Sequence, residues 1–186
     1  MKKYLKAPFW SLLAWSLTIA VSMAQPSAEN DYYKLITLPI PEGVVLEIGG
    51  MVTLPNGNLA IATRRGEVWI VENPTGENNR PPYYRKFASG LHEILGLAYH
   101  DGALLMAQRG ELTRLLDTNK DGKADRYETL YAWPISGHYH EYSYGPVIMP
   151  DGSMMVTANV AFGDAEWWLG ESRVPWRGWA MQISPE

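Results

Sequence analysis

The sequence predicts an all-β protein built as a β-propeller, and three observations carry that prediction. Strand–turn–strand units recur in register, around Asn56-Gly57, Asp101-Gly102 and Asp151-Gly152. Their turn glycines stand 45 and then 50 residues apart, the spacing of propeller blades. Asn-Gly and Asp-Gly favour tight hairpins because both central residues tolerate positive φ. Finally, a second turn follows the first two hairpins, at Arg65-Gly66 and Arg109-Gly110, and leads into further strand-like runs. Four short strands per unit, repeated, describe propeller blades rather than unrelated hairpins of a sandwich.

The chain opens with Lys2, Lys3 and Lys6, an apolar run from Ala7 to Ala20, and the small residues Ser22-Met23-Ala24. This is the pattern of a secretory signal peptide over residues 1–24, too short for a stable membrane span of about 20 apolar residues. The 186 residues contain no cysteine, which excludes disulfides, zinc–thiolate sites, a thiol nucleophile and lipid attachment at the cleavage site. Export without cysteine fits a periplasmic or secreted bacterial protein. Loss of the leader leaves thirteen basic residues against twenty acidic ones, a net charge of −7. That balance disfavours nucleic acid as a partner. A hydrophobic content of 46% with 19% charged residues is enough to build a core.

Residues 25–43 read as an extended lead-in, punctuated by Pro39 and Pro41. The blades are expected over about 44–89, 90–135 and 136–186. Third strands fall at Glu67–Val71 and Glu111–Leu116, and fourth strands at Tyr83–Ala88 and Glu128–Tyr131. The last blade has two strands, a Trp-rich insert over 159–177 and a third strand at Gly178–Ile183. The 162 residues after the leader amount to about three and a half blades of roughly 45 residues, against rings of about four to eight. The expectation is an N-terminal part of a longer protein, whose remaining blades would be the partners of these.

The most specific motif is Asp117-Thr-Asn119-Lys-Asp121-Gly122-Lys123-Ala-Asp125-Arg-Tyr-Glu128. It matches the calcium-loop template D-x-[DN]-x-[DN]-G-x5-E. Calcium takes about six to eight oxygens. Asp117, Asn119 and Asp121 offer side chains, Lys123 its carbonyl, Asp125 a direct or water-mediated contact, and Glu128 a bidentate carboxylate. The flanks read as strands rather than helices, so a structural calcium ion is expected, not a switch. The alternative is a solvated polar turn.

Four segments occur in order: Gly90-Leu-His-Glu-Ile-Leu-Gly96-Leu97, Gln108-Arg-Gly-Glu-Leu-Thr-Arg114, His138-Tyr-His-Glu-Tyr142 and Trp176-Arg-Gly-Trp179. Together they resemble the large secreted proteins known as membrane-bound dehydrogenases, whose propeller is similar to that of soluble glucose/sorbosone dehydrogenases. The resemblance covers about residues 44–183. It implies a six-bladed ring with pyrroloquinoline quinone on the axis and calcium beside it. It also implies a histidine that takes the proton of a sugar hydroxyl, and arginines that hold the quinone carboxylates. His140 matches the catalytic histidine best; its five-residue step to Gly145 is longer than in the familiar sugar dehydrogenases.

Strand parity gives an independent prediction. Connections into first strands and between second and third strands lie on one face of a propeller. His92, Glu93, His138, His140, Glu141, Arg64, Arg65, Gln108 and Arg109 all fall there, while the calcium loop falls on the other. His140 beside Glu141 is the candidate general base. Arg64, Arg109 and His92 are the candidate cofactor contacts, arginine being suited to bidentate binding of carboxylates. Trp167, Trp168, Trp176 and Trp179 could stack on a sugar, or simply pack the insert. A histidine–carboxylate metal site at His92, His138 or His140 lacks any HExxH-type spacing. No dinucleotide, phosphate-loop or Gly-x-Ser-x-Gly pattern is present. Two functions follow: a quinone-dependent sugar or aldose dehydrogenase, or a non-catalytic propeller that binds glycans or partner proteins.

Overall fold

The computed structural model describes residues 32–33, 35–135, 140–159 and 175–184. The expected leader over 1–24, His138, Trp167, Trp168 and most of the Trp-rich insert lie outside these residues. The chain divides into residues 1–37 and 38–186. The described residues of the first part form no strand or helix. Those of the second form eleven strands in three antiparallel sheets.

The first sheet comprises β1 (Ile48–Thr53), β2 (Leu59–Thr63), β3 (Val68–Glu72) and β4 (Tyr83–Ala88), paired in chain order. The second comprises β5 (Leu97–His100), β6 (Ala103–Ala107), β7 (Glu111–Leu116) and β8 (Arg126–Ala132), again in chain order. The third pairs β9 (Ser143–Ile148), β10 (Met154–Ala158) and β11 (Ala180–Ile183) in the same sense. The turn glycines do what the sequence predicts, with φ of +82° at Gly57, +80° at Gly102 and +82° at Gly152.

Alternation along the strands explains how the sheets stack. Side chains of a strand point to opposite faces in turn, so β6 presents Leu104 and Met106 to one side and Leu105 and Ala107 to the other. The first pair joins Ala60, Ala62, Val68 and Ile70 of the first sheet in one core. The second pair joins Met154, Val156 and Ile183 of the third sheet, with Leu112 and Trp133, in another. All five residues of β6 are therefore buried, although only half would face a core in a one-sided sheet.

Glycine sets the distance between the strands that open each sheet. A Cβ at Gly50 would lie 2.7 Å from the Leu97 nitrogen, and one at Gly96 only 2.1 Å from the Gly145 carbonyl oxygen. Backbone therefore packs directly on backbone from β1 to β5 to β9. The architecture is all-β and propeller-like, with each sheet stacked face to face on the next.

Candidate functional site

Arg64 ends the β2 side of its turn, Arg109 ends that of the second sheet, and Glu93 lies on the segment leading into β5. The structure brings these three together with Tyr142, the residue before β9. Glu93 accepts from Arg64 Nη2 on Oε1 at 3.3 Å and from Arg109 Nη1 on Oε2 at 3.1 Å. Arg64 Nη2 also donates to the Tyr142 hydroxyl at 2.9 Å. The guanidinium carbons of Arg64 and Arg109 lie 5.4 and 5.6 Å from the Tyr142 ring centroid, within cation–π range. Tyr142, and then Glu93, hold Arg64 more firmly protonated than an isolated arginine.

Arg109 is fixed from behind. Its carbonyl accepts from Trp133 Nε1 at 2.7 Å, Arg177 Nη2 at 2.8 Å and Ser143 Oγ at 3.2 Å. Its Nε donates to the Glu141 carbonyl at 3.4 Å. Arg177 is 1% exposed and also donates to the carbonyls of Pro134 and Tyr142. Burial lowers the pKa of Arg177, while nearby Glu141 works in the other direction. A guanidinium remains charged under any such shift.

His92 reaches the rim of this cluster. Its backbone N–H donates to Gln108 Oε1, and its Nε2 stands 4.0 Å from Glu93 Oε2. His140 is exposed in the turn before β9. Its carbonyl accepts from the Tyr142 N–H at 2.9 Å and from Asn159 Nδ2 at 3.4 Å. The three expected cofactor contacts, Arg64, Arg109 and His92, thus meet around Glu93. Sequence reasoning passed over Tyr142 and Arg177 as site residues and gave Glu93 no role. Tyr142 and Arg177 sit inside motifs whose more conspicuous letters are histidines and tryptophans. The available signal was an aromatic residue directly before an inner strand whose turn neighbours are arginines.

The expected calcium loop connects β7 to β8 at the other end of the strands. Arg109 precedes β7 and Asp117 follows it, and six extended residues separate them by roughly 20 Å. Gly122 takes φ +88° to make the bend. Asp117 accepts the N–H groups of Asp121 at 3.1 Å and Gly122 at 2.8 Å. Asn119 Oδ1 accepts from Asp121 N–H at 2.9 Å, and Asp121 Oδ1 accepts from Lys123 N–H at 2.9 Å. Asp125 accepts from Thr118 N–H at 2.9 Å and Thr118 Oγ1 at 2.7 Å, contacts that hold its pKa below the ordinary aspartate value. Glu128 stands apart from them. It lies on β8, where its carboxylate is taken by Arg114 and Arg126. Among the described residues no three His, Asp or Glu side chains converge as a metal-ligand set, the loop carboxylates being turned to their own backbone. Equally, none of Asp117, Asp121 or Asp125 forms a salt bridge with a described lysine or arginine.

Of the four tryptophans considered for stacking, Trp176 and Trp179 are described. They are exposed, with ring centroids 6.1 Å apart and planes perpendicular. No helix among the described residues is long and apolar enough to cross a membrane.

The sheets and their stacking define a propeller-like class of protein. The fold is similar to that of a Thermus thermophilus protein provisionally assigned as an oxidoreductase (glucose dehydrogenase), with a TM-score of 0.57 and 19% sequence identity. The likeness covers 76% of this chain and 44% of that one, so this chain spans less than half of that protein's length. No protein-family model matches the sequence, and no curated protein does.

Proposed function

We propose that this chain is part of an exported, quinone-dependent sugar or aldose dehydrogenase of the propeller type. The observation that carries the reading is the convergence of Arg64 and Arg109 on Tyr142 at one end of the sheets. Two guanidiniums beside an aromatic ring suit a planar ligand that bears carboxylates. The fold likeness to an oxidoreductase supports the same choice. Pyrroloquinoline quinone fits this description. Arg64 and Arg109 would hold its carboxylates, with His92 at the rim, and the bound quinone would accept hydride. His140 would take the proton from the sugar hydroxyl. The further blades of such an enzyme would supply the rest of its site, and the leader would direct it to the periplasm or the medium.

Calcium belongs to the same proposal. Three carboxylates within nine residues, none in a salt bridge with a described basic residue, repel one another and favour a cation. To bind one, Asp117, Asn119, Asp121 and Asp125 would exchange some of their loop N–H contacts for the metal. Glu128 would have to leave Arg114 and Arg126 to join them, so we place the closing ligand at Asp125.

Titration of the full-length protein with the quinone by calorimetry tests the reading. Binding should be followed by reduction of an artificial electron acceptor when an aldose is added. A general base contributes about 10²–10⁴-fold to rate, so His140→Gln should nearly silence turnover without changing quinone affinity. Absence of quinone binding to the folded protein overturns the dehydrogenase reading. The exposed Trp176–Trp179 pair then favours the second one, a non-catalytic propeller that binds glycans.

A further inference from the structure

From the geometry around Glu93 we infer that this residue is a built-in place-holder, whose carboxylate occupies the position of a ligand carboxylate and must leave when the ligand binds. The inference rests on the proposed reading only in placing the ligand at the Arg64–Arg109 pair. Each oxygen of Glu93 accepts from a different guanidinium, Oε1 from Arg64 and Oε2 from Arg109. That is how a bound carboxylate would bridge the pair. The three side chains come from three separate connections, so no local turn requires the arrangement. Arg64 and Glu93 remain 45% and 25% exposed, which leaves a path for exchange.

The backbone singles out the same residue. Glu93 holds φ at +44°, a left-handed conformation that a glutamate seldom adopts. Its segment, residues 90–96, forms no strand or helix, and the Glu93 carboxylate pairs with side chains rather than closing a backbone ladder. The arginines are differently placed. Arg109 is held at its carbonyl by Trp133, Ser143 and Arg177 and at its guanidinium Nε by the Glu141 carbonyl, and Arg64 is held through the Tyr142 hydroxyl. When the pair is contested, the carboxylate is therefore the partner free to move. With Glu93 in place the two guanidiniums are charge-balanced in part. The ligand favoured is one with a carboxylate to spare on a planar frame that can lie against Tyr142.

The test compares the full chain with its Glu93→Gln variant, titrated with isophthalate, a planar dicarboxylate, by calorimetry. Exposed ion pairs are individually weak, so removing the internal competitor should tighten isophthalate about three- to tenfold. Arg109→Ala in the Glu93→Gln background should abolish the gain. A measurement on the unaltered chain guards against misfolding of the variant: the side-chain carboxyl carbon resonance of Glu93 should shift as isophthalate binds. Equal or weaker binding by Glu93→Gln, an unmoved Glu93 resonance, or no isophthalate binding to either chain overturns the inference. Pyrroloquinoline quinone titrated in parallel separates the two claims. Tighter isophthalate with no quinone binding leaves the place-holder standing and removes the dehydrogenase reading; quinone binding with no gain in the variant does the reverse.

Discussion

Arg177 shows how much of the site depends on one buried side chain. It is 1% exposed yet carries a charge, and its hydrogens go to the carbonyls of Arg109, Pro134 and Tyr142 and to Ser143 Oγ. Removing such a donor strands acceptors away from water and takes one nearby cation from Glu141. Arg177→Met should therefore destabilise the protein by about 3 kcal/mol in chemical denaturation and weaken any ligand held by Arg109. At the opposite end, Asp125 carries a pH dependence with a defined sign. Hydrogen bonds from Thr118 lower its folded pKa. Its contribution is thus present above the ordinary aspartate pKa and lost as the pH falls through the lowered value. Thr118→Val should therefore lower the neutral-pH melting temperature slightly and leave melting well below about pH 4 little changed, so that acid titration of the melting temperature shows a smaller fall for the variant.

Among the elements, the strands that open each sheet are limited by glycine rather than by packing of side chains. A Cβ at Gly96 would sit 2.1 Å from the Gly145 carbonyl oxygen, and backbone cannot give way as a flexible side chain can. Gly96→Ala should cost at least about 3 kcal/mol, while Gly110→Ala, whose new methyl would find nothing nearer than 3.9 Å, should be nearly neutral. Urea denaturation of the two variants checks the contrast; equal effects would mean that the strands can separate. The same close approach places Glu93 and Tyr142, on successive inner-strand entries, within reach of one pair of arginines. The site is thus a consequence of the glycine contacts one step away.

For the whole molecule, the β7–β8 loop ties two sheets together. The Ala124 N–H donates to the Phe87 carbonyl on β4 at 2.8 Å, and the Arg85 guanidinium lies against Gly122. Calcium bound to this loop should therefore stabilise the first sheet as well as the second. At a hundred times its dissociation constant, a ligand of the native state adds about 2.7 kcal/mol. Chelation should lower the melting temperature, and Asp117→Ala with Asp121→Ala should remove that response. Amide exchange should quicken under chelation both in the loop and along Tyr83–Ala88. Identical melting with and without chelator would leave the loop as a polar turn.

Much of this fold is local and therefore legible in the sequence. Hairpin glycines state their backbone requirement in themselves, alternation marks strands, and the order of strands follows from short turns. Tyr83–Ala88 and Glu111–Leu116 form as expected, while β3 and β8 differ by a few residues because pairing, not propensity, sets strand ends. Parity likewise placed Arg64, His92 and Arg109 at one end, since antiparallel strands reverse direction regardless of their side chains. Pairing within sheets and contacts between them decided the rest. Glu128 completes a calcium template by spacing, and the pairing of β8 with β7 sets it opposite Arg114, which takes its carboxylate here. Gly50, Gly96 and Gly145 are isolated letters until neighbouring strands need the space a side chain would fill. Glu93, Tyr142 and Arg177 lie far apart in sequence from the arginines they govern, and only the stacking of sheets brings their charges within hydrogen-bonding distance.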